Sequence, residues 1–429
     1  MELSFKIGNG TQTVQVAQEN LLGILRANEV AVSLTGEKAV HAALLAPIGT
    51  PRLRDMVSPG ERIAIVTSDI TRPMPTAKVM PALLDELYLG GVSPRDITLV
   101  FALGSHRKHS DEERRRLAGE RTWNEITCVD LDTIDAVDFG TTVRGPPVVI
   151  DRRVAEADRR ICLGNIEYHY FAGYSGGAKA IMPGVSTRDA IQSNHSFMVQ
   201  REACAGRLEG NPVREDIEEA AAMVGVDFIL NVVLDEHKEI IFAAAGDVTK
   251  AHRAGCRFLD TLYRKPIHEK ADIVLVSQGG APKDLNLYQT QKALDNAKHA
   301  VKDGGVIILM GSCKEGLGES TFAHWIHDAP DARALIDRIG REFRLGGHKA
   351  AAIAMVLEYA DIYLVSDLDR EVVRDCFLTP FSSAQAAYDA AMQKCGPKAT
   401  VWAIPYGGSI LPWYENAQEG SDNRESTGV

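Results

Sequence analysis

The chain has 429 residues, with 47 Lys+Arg against 58 Asp+Glu and a formal net charge of −11. At roughly 150 residues per domain this length suggests two or three domains, and 45% hydrophobic with 24% charged residues is the balance of an ordinary soluble globular protein. The acidic excess argues against a dedicated nucleic-acid binder, which shows a basic domain or stripe, and against a membrane-surface role.

Residues 1–16, MELSFKIGNGTQTVQV, have no long apolar core behind a basic flank, so no signal peptide is expected. No stretch reaches the roughly 18 uninterrupted apolar residues that span a bilayer. The seven cysteines are odd in number, scattered, and contain no Cys-x-x-Cys pair. They read as reduced thiols of a cytoplasmic protein, each a small buried apolar residue, rather than a disulfide framework or a zinc ribbon.

In chain order, the first elements expected are buried parallel strands marked by short apolar runs: IAIVTS before Asp69, ITLVFALGS before His106, and ICLGN before Glu167. Between the first two, residues 76–89 carry apolar positions at helical spacing and end on Gly90 and Gly91. A helix also begins after Ser110, an N-cap followed by acidic residues. Residues 227–246 read as two strands about a charged turn. From Ala271 an α/β rhythm restarts, with ADIVLVSQGG, GGVIILMGS, ADIYLVSD and ATVWAIPYGG as strands and a helical segment over residues 288–301. The expected architecture is therefore α/β. It has two domains with mainly parallel sheets, residues 1–268 binding a cofactor and residues 269–417 forming a C-terminal domain, with the active-site cleft between them. Residues 418–429 lack apolar anchors and are expected to be a disordered tail.

In open α/β sheets ligands sit beyond the carboxyl ends of strands, so the loops after the first three strands are the places to look. In the first, SDITRPMP, Pro73 pushes Arg72 toward an extended backbone, from which its guanidinium can grip a carboxylate or phosphate, or pair with a structural Asp. In the second, GSHRKHS, His106 directly follows a strand and a Gly-Ser turn. That placement suits a general acid/base, although a lone His is commonly just hydrogen-bonded. His109, at the start of the next helix, keeps the structural reading.

The third stretch, residues 164–196, GNIEYHYFAGYSGGAKAIMPGVSTRDAIQSNHS, gathers His169, the glycine-rich turn with Ser175, Gly176 and Gly177, then Lys179 and His195. Such a turn lets backbone N–H groups approach an anion, yet neither a Walker A order nor a GxGxxG fingerprint is present. Lys179 stands among Ala178, Ala180 and Ile181. Burial there would leave a nucleophilic amine; exposure would make it a cation snorkelling off an alanine-rich face.

Taken together, SDITRP, GSHRKH and EYHYFAGYSGGAKAIMPG…NHS, with the restart at residue 271 and NLYQTQK over residues 286–292, closely resemble the signature stretches of the nickel-dependent lactate racemase family. The resemblance covers most of the chain. It implies a nickel pincer nucleotide (pyridinium-3-thioamide-5-thiocarboxylic acid mononucleotide) attached through Lys179, with His195 as a nickel ligand. It also implies His106 and His169 as the acid/base pair, and Arg72, Tyr288, Gln289 and Lys292 as residues that hold the substrate. Asp69 would orient a neighbour or meet the cofactor ribose, beside Ser175, Gly176 and Gly177. The implied reaction is inversion at C2 of a 2-hydroxy acid by reversible hydride transfer through a 2-keto acid, a racemase or epimerase activity. Separate maturation proteins would supply the cofactor. The competing readings are a nicotinamide-dependent 2-hydroxyacid oxidoreductase and a cofactor-binding protein without turnover. The identity of the hydroxy acid, the oligomeric state, and the roles of His324, His327, His348 and Lys349 are not assigned by these motifs.

Overall fold

The structure, a computed structural model, describes residues 1–414; the expected tail at residues 418–429 lies outside them. The chain divides into two compact units, residues 30–261, and residues 1–29 together with the chain from residue 262 onward. Among the described residues no helix is long and apolar enough to cross a membrane, and none of the cysteines forms a disulfide.

The unit of residues 30–261 is built on six strands in the order Ile240–Gly246, Phe228–Leu234, Arg159–Asn165, Ile63–Ser68, Ile97–Ala102 and Thr127–Asp130. All neighbours pair in parallel except the first two, the expected hairpin about a charged turn. Because side chains alternate across a strand, one face of this sheet presents Ile63, Ile65, Ile97, Leu99, Phe101, Ile161, Leu163, Phe228 and Leu230 to a single core. The helix Thr76–Leu89 covers that face with Val79, Met80, Leu83 and Leu87, all fully buried. Each such side chain contributes roughly 1.5–3 kcal/mol by leaving water. Gly90 caps the helix and Gly91, at φ +86°, turns the chain away. The helix Asp111–Ala118 begins with a reciprocal capping box between Ser110 and Glu113.

The other unit has an all-parallel sheet in the order Thr379–Phe381, Asp361–Val365, Val301–Met310, Ala271–Ser277, Val401–Ile404 and Leu21–Ile24. The expected helix after the strand Ala271–Ser277 is Leu287–Ala297, opened by the Asn286 side chain on the Gln289 N–H. The chain division departs from the expected boundary at residues 268/269 in two ways. Residues 1–29 group with the C-terminal sheet, because Leu21–Ile24 hydrogen-bonds along Val401–Ile404 and the hairpin Glu2–Ile7/Gly10–Gln15 buries Leu3, Phe5 and Val14 in its core. The segment at the expected junction is itself a short strand, Arg264–Ile267, paired with Leu411–Tyr414.

Candidate active site

Strands Arg159–Asn165, Ile63–Ser68 and Ile97–Ala102 are neighbours and parallel, so their carboxyl ends open on one edge of the sheet. The three loops singled out by sequence therefore emerge side by side.

The first two loops are tied by an acid. The Arg72 N–H closes a turn on the Asp69 carbonyl at 3.1 Å, and this turn buries the Asp69 carboxylate, only 3% exposed. His106 Nδ1 lies 2.7 Å from Asp69 Oδ2, and the Thr71 hydroxyl donates to Oδ1 at 2.8 Å. Burial by itself would raise the Asp69 pKa, but the bond to His106, the Thr71 hydroxyl and the Arg72 charge outweigh it and hold the carboxyl below its ordinary value. An ionised carboxylate can only accept, so the ring proton sits on Nδ1 and Nε2 is the proton-accepting nitrogen of His106. Asp69 is thus an orienting group for His106. Arg72 is exposed and makes no ion pair among the described residues, although its charge acts on Asp69 from a longer distance.

The third loop starts with a miniature hairpin, Tyr168–His169 against Gly173–Tyr174. Both tyrosine hydroxyls donate to Asp260 Oδ1 at 2.8 Å, which pins the hairpin to the helix Lys250–Tyr263. Gly173 is at φ +74°, and a Cβ there would fall 2.0 Å from the Arg207 carbonyl oxygen, so no other residue fits. The Ala172 N–H donates to His169 Nδ1 at 3.2 Å. A neutral His169 consequently carries its proton on Nε2.

Phe171, which the sequence reading passed over, organises this loop. Its buried ring meets the His169 ring edge-on at 4.5 Å and the His195 ring at 4.9 Å, and the Lys179 ammonium nitrogen lies 5.7 Å from its centroid. Only an aromatic at that position, two residues past His169, signalled it.

Lys179 lies in the tight turn Gly177–Ala180 and is half-buried as a residue. Its amine is desolvated, and the nearby Arg72 and Arg214 guanidinium groups add repulsion, so its pKa falls well below the usual lysine value. The glycines ahead of it serve close packing. The Gly177 N–H donates to Asn231 Oδ1 at 2.7 Å, and a Cβ on Gly176 would sit 2.6 Å from that same oxygen. The Ser175 N–H bonds the Glu167 carbonyl, and its hydroxyl lies between the Asn165 carbonyl and the Glu167 N–H. These groups are engaged within the protein rather than aimed outward as an anion cradle.

His195 ends the helix Arg188–His195 and is 6% exposed. Asn194 Nδ2 donates to Asp216 Oδ2 at 2.7 Å and to the Val213 carbonyl at 3.2 Å. The Asn194 oxygen therefore faces His195 Nδ1, 2.8 Å away, and accepts its proton. That leaves Nε2 as the acceptor nitrogen, the tautomer in which an imidazole ligates a metal. Asn194 and Asp216 were not singled out by sequence.

In the other unit, Tyr288, Gln289 and Lys292 occupy the first turns of Leu287–Ala297, with Tyr288 and Gln289 half-buried and Lys292 exposed. Spacings of three and four put all three on one side of the helix. Lys349, 5% exposed, donates to the Tyr288 carbonyl at 2.5 Å and lies 4.1 Å over the Tyr288 ring, and His348 meets that ring edge-on. His324 and His327 are both exposed. Among the described residues no three His, Cys, Asp or Glu side chains cluster as a metal-binding group.

Residues 7–206 match the lactate racemase N-terminal domain and residues 267–411 the lactate racemase C-terminal domain. A lactate racemase of Thermoanaerobacterium thermosaccharolyticum is 35% identical over 419 residues, spanning 94% of this chain and 97% of the relative. One from Lactiplantibacillus plantarum is 33% identical over 413 residues, with the same coverage. The solved lactate racemase apoprotein of T. thermosaccharolyticum superposes with a TM-score of 0.85 and 32% identity, covering 96% of this chain and all of that one. A Thermotoga maritima protein shares the fold alone, with a TM-score of 0.58 and 18% identity over 89% of this chain and all of that one. With both domain models and near-complete relatives in agreement, the chain belongs to the lactate racemase family, a family of isomerases.

Proposed function

We propose that this protein is a racemase that inverts C2 of a 2-hydroxy acid, lactate or a close relative of it. The observation that carries the reading is an oriented proton acceptor, His106 Nε2, on the same strand edge as a desolvated lysine amine, in a chain aligned over 94% of its length with a named lactate racemase.

The residues present fit a nickel pincer nucleotide. A neutral amine at Lys179 is the form that could condense with a thiocarboxylic acid arm, giving a thioamide with loss of water, and the His195 tautomer would offer Nε2 to a divalent metal that tolerates imidazole beside sulfur donors. Lys179 would hold the group covalently and His195 would ligate nickel, with Ser175, Gly176 and Gly177 shaping the turn that presents the lysine. When bound, such a cofactor supplies reversible acceptance of hydride from C2, chemistry that no side chain offers. The protein's own part is positioning and proton traffic. Arg72 would grip the substrate carboxylate with two parallel hydrogen bonds. Tyr288, Gln289 and Lys292 are proposed as further substrate-binding residues. His106, held by Asp69, would take the hydroxyl proton of one enantiomer, and His169 would act on the hydroxyl of the other. The planar 2-keto acid between them can be approached from either face.

Intact-mass analysis of protein produced together with cofactor-maturation proteins should show an adduct that peptide mapping places on Lys179, and chiral chromatography should show racemisation of lactate. In the bare protein, limited acylation should modify Lys179 at a lower pH than surface lysines, since burial and the nearby Arg72 and Arg214 charges depress its pKa and leave more of its amine unprotonated than theirs. No adduct at Lys179 together with no enantiomer interconversion would reject the proposal.

A further inference from the structure

We infer that His109, clamped by Asp130, is a positioning residue that fixes the turn Asp69–Arg72 against the His106 loop and so sets the orientation of His106. The inference rests on the reading of His106 as a proton acceptor.

The His109 side chain is completely buried, with its ring edge against Phe101 at 5.5 Å. Asp130, the last residue of the strand Thr127–Asp130, holds it twice: Oδ1 lies 2.7 Å from His109 Nδ1, and Oδ2 accepts the His109 backbone N–H at 2.8 Å. With both oxygens acting as acceptors, the ring proton sits on Nδ1. His109 Nε2 is then an acceptor, and it takes the Ile70 N–H at 3.1 Å.

Ile70 directly follows Asp69, so this amide belongs to the peptide plane that carries the orienting carboxylate. One loop thus grips the turn at two points three residues apart: His106 on the Asp69 side chain and His109 on the Ile70 backbone. The bonds from His106 and the Thr71 hydroxyl set the side-chain torsions of the carboxylate but leave the backbone that carries it free to tilt. Two attachments fix both the plane and the direction from which Asp69 meets His106. The Ile70 amide lies just past the end of a strand, where no ladder partner awaits it, and the protein commits a buried His–Asp pair to it instead of leaving it to water. A carboxylate acceptor fixed in this way needs no reorganisation when His106 takes up a proton.

The test uses the full chain with three substitutions. His109→Phe keeps the buried bulk and removes the acceptor. His109→Gln keeps one donor and one acceptor, about as far apart as the ring nitrogens. Asp130→Asn can donate to Nδ1 and so turns His109 into the tautomer whose Nε2 no longer accepts. In cofactor-free protein, Ile70 amide exchange and the ring-nitrogen NMR signature of His106 are read. In cofactor-loaded protein, kcat and KM for racemisation are read separately. The expected result is loss of Ile70 protection and of the Nδ1-protonated His106 signature in His109→Phe and Asp130→Asn. Their kcat should fall by up to about 100-fold with KM little changed, and His109→Gln should restore most of it. If His109→Phe does not fold, Asp130→Asn carries the same comparison. A folded variant with the His106 signature and kcat unchanged overturns the inference, as does His109→Gln behaving no better than His109→Phe. Because the NMR readouts need neither cofactor nor turnover, failure of the acid/base role of His106 would show separately, as racemisation surviving in His106→Ala.

Discussion

The His106 loop and the His169 hairpin hold the same chemical group by the same nitrogen in opposite ways. At His106 an ionised acid receives the Nδ1 proton; at His169 a backbone N–H points at Nδ1 and occupies its lone pair. The first arrangement leaves Nε2 ready to accept a proton and sets a negative charge behind the cation that forms. The second leaves Nε2 already protonated, and a second proton on Nδ1 would cost the bond to Ala172. The two histidines proposed to serve mirror-image substrates are therefore unequal in their hydrogen bonding. Since enantiomers are equal in free energy, kcat/KM must be the same in both directions. On the proposed roles, the inequality can appear only in kcat and KM taken separately, because the Nδ1 partner favours one tautomer at His106 and the other at His169. A histidine's partner, more than its presence, decides what it does.

The largest effect that could break this comparison is removal of either ring. His106→Ala and His169→Ala should each lower racemisation by about 10²–10⁴-fold, measured by chiral chromatography on loaded protein whose covalent adduct is intact. Near-normal turnover in both would leave no acid/base pair to compare. A smaller effect sharpens the contrast. Asp69→Asn removes the charge and turns one acceptor oxygen into a donor, so the His106 tautomer is no longer fixed, and a loss on the order of 100-fold is expected, with the His169 ring resonances unmoved. The same substitution tests the sign of the Asp69 shift. Its folded-state pKa is depressed, so its contribution to stability is present above the ordinary value of 3.8 and is lost as pH falls through the folded-state value. Urea titrations across pH should lose that acid limb in Asp69→Asn; an identical profile would mean Asp69 is not ion-paired. Smallest is Phe171→Leu, which loosens the hairpin side without touching the carboxylate. About 1 kcal/mol of stability should go, with a change in the His169 and His195 ring signals and none at His106. A shift at His106 as large as that at His169 would show that the two regions are mechanically one.

Much of the site was legible before any coordinates because strand ends are legible. Ile63–Ser68, Ile97–Ala102 and Arg159–Asn165 are short apolar runs buried on both faces, and polar residues directly after such runs must project from the sheet edge. Arg72 and His106 stand out that way, whereas His169 and Lys179 stand out through the glycine-rich stretch after the third run and take their proposed roles from the family resemblance. Phe171, Asn194, Asp216 and Asp130 do not stand out, since an aromatic, an amide or an acid next to a loop reads as ordinary until its partner is known. The glycine turn was legible as a constraint but not as to its cause. Only the approach of Asn231 and His252 reveals that Gly176 and Gly177 make room for neighbouring side chains. His109 shows the same limit, for its spacing from His106 was visible and its grip on Ile70 was not.

The amino-acid pattern by itself determined two α/β sheets, the loops that carry reactive groups, and membership in a family of racemases, because apolar periodicity and rare motifs are properties of neighbours in the chain. Tertiary structure alone decided that residues 1–29 complete the C-terminal sheet, which nitrogen of each histidine bears the proton, and that the Lys179 amine is desolvated. The sheet completion, the His106–Asp69 pair and the desolvation of Lys179 depend on groups tens to hundreds of residues apart meeting. Even the near neighbours of His169 and His195 act only in the turn and helix-end geometry that the fold imposes.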